Sequence, residues 1–255
     1  MKISVLLIGE SWMTHITETK GADVFSYDTY ETGTQYIREA LSTDDIQFHH
    51  MPCHLVQTEF PDSAAELKKN YDVVVISDCG ANTFLLPAKT FLHCQRTPNK
   101  LEILREFTET GGGLCMAGGY MSFMGIEGKG RYNNTPVEKA LPVTFFPYDD
   151  RRELPQGVSV PADTQKHPIL NGLSGSWGPI LGYNRAVAKE NALVALSYEG
   201  DPILSLTEYG SGRSIAFACD CAPHWCPPEL CQSDNYKILW RNIVRWLVFC
   251  NIHLM

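Results

Sequence analysis

Four short polar clusters in this 255-residue chain each follow an apolar run and hold residue types that move protons or grip small ligands. They are Glu10-Ser11-Trp12, Asp78-Cys79-Gly80-Ala81-Asn82, Gly118-Gly119-Tyr120 and Asp220-Cys221-Ala222-Pro223-His224-Trp225. An imidazole titrates near neutral pH, so His224 suits proton transfer, with a satisfied structural histidine as the plain alternative. Glu10, directly after an apolar run, reads either as a carboxyl of raised pKa or as a helix-capping acid.

The passage GGGLCMAGGYMSFMG has the strand, Gly-Gly turn and helix order of a nucleophile elbow, in which a strained turn presents a side chain over backbone N–H donors. Counting from the strand puts Gly119 or Tyr120 at the apex and leaves Cys115 inside the strand. No nucleophile therefore stands where the chemistry needs one. The alternative is a glycine pair kept for close packing and positive φ. In the run from Cys219 to Cys226, with Cys231 beyond, soft ligands are plentiful, but the paired-thiolate spacing of a zinc site is missing. Neither a metal nor a cofactor is expected.

The elements that must position these groups are legible as alternating apolar runs and helical patterns. Strands are expected at 3–9, 46–51, 71–77 and 114–117, with helices at 33–42, 63–70 and 99–109 between them. That order implies a parallel sheet, whose ligands gather at the carboxyl ends of the strands. Strands at 192–198, 202–208 and 213–219 follow, the last two joined by the turn Tyr209-Gly210-Ser211-Gly212, and a helix at 234–250 closes the chain. Between 127 and 180 the pattern loosens into a Pro- and Gly-rich embellishment with a short helix near Pro136 to Ala140 and a strand at Val143 to Pro147. With no repeat or linker, residues 1–255 read as one domain.

Composition narrows the function. The 21 basic against 29 acidic residues leave a net charge of −8, which disfavours nucleic acid as a partner. Runs such as Trp246 to Cys250 fall far short of the roughly 20 residues that span a bilayer, so no membrane partner is expected. The apolar start ends at Glu10 without a cleavage site and reads as a strand rather than a signal peptide. Nine scattered cysteines, several inside apolar runs, suit a reducing cytoplasm.

The segments LLIGESW, SDCGAN, GGGLCMAGGYMSF, HPILNGL, YGSGRSIAFACDCAPHW and YKILWRNIVRWL together resemble the class I glutamine amidotransferase-like superfamily, specifically its putative glutamine amidotransferase group, from end to end. The resemblance implies a flavodoxin-like α/β three-layer sandwich with a central, mostly parallel sheet. It places His224 close to the family histidine, Gly119 where the family nucleophile would be, and Glu10 at the acid beside the elbow. Without that cysteine, thioester chemistry on a glutamine amide has no nucleophile. A working amidotransferase would also need a separate synthase partner to consume ammonia.

The expected function is binding of a small polar metabolite at the strand ends. His224, Glu10 and Tyr120 form the catalytic set; Ser11, Trp12, Asp78, Asn82, Gly118, Gly119, Asp220 and Trp225 line the site, and the elbow N–H groups offer an anion site. The alternatives are a non-catalytic module that forms a homo-oligomer through its middle segment, and an amidotransferase or hydrolase that uses a displaced thiol.

Overall fold

A computed structural model describes residues 2–163 and 165–248 of the chain. Its strands, in chain order, are β1 (Ile3–Gly9), β2 (Ser11–Lys20), β3 (Asp23–Thr32), β4 (Ile46–Met51), β5 (Val73–Ser77), β6 (Gly113–Ala117) and β7 (Val143–Phe145). The second half adds β8 (Arg151–Pro161), β9 (Ser176–Asn184), β10 (Ala186–Ala188), β11 (Leu193–Tyr198), β12 (Asp201–Tyr209) and β13 (Gly212–Phe217).

Seven strands form the central sheet in the order β11-β12-β13-β6-β5-β1-β4. Neighbours from β13 to β4 are parallel, whereas β12 runs antiparallel to both β11 and β13. Parallel strands are covered on both faces, which is why β1 and β5 read as unbroken apolar runs. Val5 to Ile8 and Val73 to Ile76 are buried accordingly.

Helices Gln35–Leu41 and Asp234–Val248 pack together on one face. Helix Lys100–Glu109, in contact with Ala64–Asn70, Ala81–Leu85 and Pro136–Ala140, covers the other. The result is the three-layer α/β sandwich expected. Helix starts follow their caps: Asn99 Oδ1 accepts from the N–H groups of Leu101 and Glu102, and the Ser63 hydroxyl accepts from that of Glu66. The expected closing helix runs to Val248, and its last two positions lie outside the described residues.

Three features depart from the sequence reading. Residues 11–32, given no element above, form the long hairpin β2–β3, whose side chains are mostly exposed on both faces. With no buried face there is no strict apolar alternation to detect. Within the loose middle segment, β8 and β9 pair antiparallel with register shifts after Glu153 and Val158. Pro155, Gly157 and Pro179 lie in this irregular stretch and mask its strand pattern. After β6 the chain enters turns from Gly119, and no helix follows the Gly-Gly pair as an elbow requires. No helix among the described residues is long and apolar enough to cross a membrane.

Candidate active site

β1 and β5 pair through Gly9 and Ser77, so the residues that follow, Glu10 and Asp78, emerge side by side. Gly9 has φ +109°, and a Cβ there would lie 1.8 Å from the Ser77 carbonyl oxygen. Only glycine lets the two strand ends approach this closely. Asp220 and His224 arrive from the loop after β13, and Tyr120 from the turn after β6.

These groups meet around a cavity of about 210 Å³ lined by Glu10, Trp12, Asp78, Tyr120, Asp220, Ala222, Pro223 and His224. Five of the expected site residues other than Glu10 therefore share the cavity with it. Trp225 lies beneath, buried, and donates its indole N–H to Glu153 Oε2 at 2.9 Å. Ser11 turns aside and accepts the Cys53 N–H at 2.8 Å, and Asn82 lines a different depression beside Gly80 and Lys129.

The cavity is acidic, and burial raises the pKa of each of its acids. Glu10 is buried, accepting from Ser77 Oγ at 2.6 Å and from Cys221 Sγ at 3.5 Å. Its pKa is driven well above the usual carboxyl range by burial first, then by Asp220 and Asp78. Burial and the Asp220 charge raise Asp78 in the same direction, and burial raises Asp220.

His224 Nδ1 sits 3.3 Å from Asp220 Oδ2, and this contact raises the imidazole pKa against the opposing effect of burial. The ring also packs on Tyr120, centroid to centroid 4.0 Å. The cavity thus combines a carboxyl of raised pKa at Glu10 with a histidine biased toward its cation by Asp220.

At the Gly-Gly turn the backbone donors are already committed. Gly118 N–H donates to the Phe217 and Cys219 carbonyls, and Gly119 N–H to Asn184 Oδ1 at 2.9 Å. Met121 N–H donates to Asp78 Oδ1 at 2.7 Å. The anion site expected here is filled by the chain's own Asp78. A Cβ on Gly119, whose φ is +147°, would stand 3.0 Å from Asp78 Oδ1.

The remaining thiols give no ready substitute in this cavity. Cys115 is wholly buried within β6, where burial raises its pKa, and Cys221 is pushed well up by burial and by Glu10. Among the described residues, Glu10, Asp220 and Cys221 nonetheless bring metal-competent atoms together, within 4.8 Å of one another. This grouping differs from the cysteine-rich run weighed in the sequence, because it recruits Glu10 from the far end of the chain.

Glu153, absent from the sequence reading, accepts from both Tyr120 Oη at 3.1 Å and Trp225 Nε1 and so ties the two aromatics together. Asp150 is a second omission. It accepts from Asn184 Nδ2 at 2.8 Å and from the Met124 and Gly125 N–H groups, fixing the turn from behind. Both lie within the irregular middle segment, where their acidic character is the only signal the sequence offers.

A family model described as putative glutamine amidotransferase, GATase1-like, matches residues 4–249. The chain belongs to this family. Two solved structures resemble this GATase1-like chain over nearly all of both lengths. Cytoplasmic Protein STM3548 from Salmonella typhimurium is 44% identical, with a TM-score of 0.90 over 95% of this chain and 98% of its own. Cytoplasmic Protein STM1381 from Salmonella typhimurium LT2 is 42% identical, with a TM-score of 0.90 over 96% and 99%. Among curated proteins, none matches the GATase1-like chain.

Proposed function

We propose that this GATase1-like protein binds a small polar metabolite in its strand-end cavity, in the cytoplasm, and has no thiol-dependent glutaminase activity. The observation that carries the reading is Gly119 facing the Asp78 carboxylate at the position that the family resemblance gives to the nucleophile. Carboxyl groups and an imidazole, rather than a thiol, face the cavity beside Trp12 and Tyr120. Such walls suit a hydroxyl- or amine-bearing ligand, with apolar ring faces packing its carbon skeleton and the acids taking its hydrogen bonds. In a reaction, His224 transfers the proton, Asp220 holds its imidazolium, and Glu10, whose pKa is raised, supplies the complementary acid.

The test is a thermal-shift and calorimetric screen of small polyols, amino sugars and amines against the wild type and His224→Ala. A ligand bound by the wild type and lost in the variant supports the site. Glutamine hydrolysis by the wild-type chain alone would overturn the reading.

A second reading, association of two copies, is favoured by one observation. The hairpin β2–β3 exposes Met13, Val24, Phe25, Tyr27 and Tyr30, a concentration of apolar surface unusual outside an interface. In this reading the hairpin, rather than the middle segment, is the surface that supports a subunit contact. Light scattering of the wild type against Phe25→Ser/Tyr30→Ser separates the cases: a dimer split by the variant supports the contact, and a wild-type monomer removes it.

A further inference from the structure

Beside the acidic cavity lies a second one, of about 310 Å³, lined by Ser11, Trp12, Met13, Tyr30, Cys53, His54, Gln57 and Thr83. Cys53 opens the turn of 3-10 helix after β4, and Cys79 follows Asp78 after β5. The two strands flank β1, so both cysteines stand at the same end of the sheet.

The pair is asymmetric. Cys53 is partly exposed toward the cavity, while Cys79 is buried behind it. Cys53 Sγ lies 3.8 Å from the Asp78 carbonyl oxygen, against the peptide that leads into Cys79. The neighbouring Cys79 thiol, helped by Ser11 and opposed by burial, lowers the Cys53 pKa to about 7. The same contact together with burial pushes Cys79 well up. One sulfur is thus accessible and partly ionised at neutral pH, and the other is a protected thiol within reach of it.

We propose that Cys53 and Cys79 form a dithiol site that reacts with small disulfides, Cys53 attacking and Cys79 resolving. The Cys53 thiolate attacks one sulfur of a low-molecular-weight disulfide RSSR. The RS–SR bond breaks, a Cys53–SR bond forms, and RS⁻ leaves to take a proton from water. Cys79 then attacks the Cys53 sulfur and expels the second RS⁻, which takes up the proton lost by Cys79. The protein is oxidised by two electrons to a Cys53–Cys79 disulfide, and RSSR is reduced to two RSH. Trp12 lines both cavities, so the dithiol shares a wall with the acidic site.

The test uses the full reduced chain and glutathione disulfide, with acid quenching and peptide mass spectrometry at each cysteine. In the wild type, Cys53 is expected to react roughly fivefold to tenfold faster than exposed Cys94 at neutral pH, ending as a Cys53–Cys79 disulfide with no retained glutathione. Cys79→Ser is expected to hold a glutathione adduct at Cys53, and Cys53→Ser to lose the fast phase. Three wild-type results overturn the proposal without depending on either variant. They are a stable adduct at Cys53 with Cys79 free, first reaction at Cys94, and oxidation instead at the buried Cys226 and Cys231, whose sulfurs are 3.3 Å apart.

Discussion

Glu10 and Asp78 adopt the same left-handed backbone conformation, φ +46° and +45°, each one residue past the end of adjacent parallel strands. The Glu10 N–H donates to the Ser77 carbonyl at 3.1 Å, which locks the two turns in register. Left-handed φ is disfavoured for a residue with a Cβ, most of all for one without aspartate's short side chain, and each instance costs on the order of 1 kcal/mol or more. Two acids held in such turns, side by side and dehydrated, are a destabilising arrangement that a purely structural role does not require.

Glu10→Gln is therefore expected to stabilise the fold while abolishing ligand binding. The folded-state pKa of Glu10 is raised, so the proton is held more tightly in the native state. Stability then falls as pH rises from the unfolded carboxyl value, about 4.3, toward the folded one. Glutamine removes this loss, so its advantage is expected to be small near pH 4 and to grow as pH rises toward 8. Urea unfolding at the two pH values checks it; a variant equally or less stable at pH 8 contradicts the burial argument.

His224→Ala is expected to leave thermal stability nearly unchanged, because the imidazole is 39% exposed, and to remove ligand binding or turnover. In the wild type the His224–Asp220 pair raises the histidine pKa, so its stabilising contribution is complete below about 6.5 and disappears as pH rises through the folded value. Ligand affinity that depends on the imidazolium should weaken over the same interval. An NMR titration of the ring resonances, run beside binding isotherms, compares the two midpoints.

Gly119→Cys is expected not to restore glutaminase activity. The new side chain enters a positive-φ position against the Asp78 carboxylate, and a loss of about 1–3 kcal/mol in stability is expected. Ammonia release from glutamine, together with a melting curve, reads both parts of the prediction.

Gly9→Ala should be more severe than any of these three changes. The added methyl meets the Ser77 carbonyl oxygen at 1.8 Å, a backbone contact that no side-chain rotation relieves. A loss of at least about 3 kcal/mol, or failure to accumulate folded protein, is expected from strain at a special backbone position. A melting curve within a few degrees of the wild type would contradict it.

The sheet is legible because buried parallel strands leave unmistakable apolar runs, and the rule that ligands sit at their carboxyl ends points from the sequence to Glu10, Asp78, Tyr120, Asp220 and His224. Ser11 and Asn82 were assigned by the same rule and face elsewhere, since a sequence position after a strand does not determine the direction of its side chain. The occupation of the turn donors by Asp78 and Asn184 joins segments far apart in sequence and depends on pairing that local patterns do not encode. Glu153 was hidden by the irregular strand that carries it. Cys53 was passed over for another reason: its acidity comes from Cys79 and Ser11, neighbours only in space.

The mutual exclusion between a side chain at 119 and the carboxylate at 78 has a consequence for how this scaffold can change over generations. A single codon change at Gly119 adds a thiol where an acid already occupies the space and the turn donors, so its benefit depends on what stands at 78. Removing Asp78 first frees those donors but leaves glycine with nothing to attack. The two positions form an epistatic pair, and a route from this carboxyl pocket to thiol chemistry crosses a valley that neither step alone can bridge.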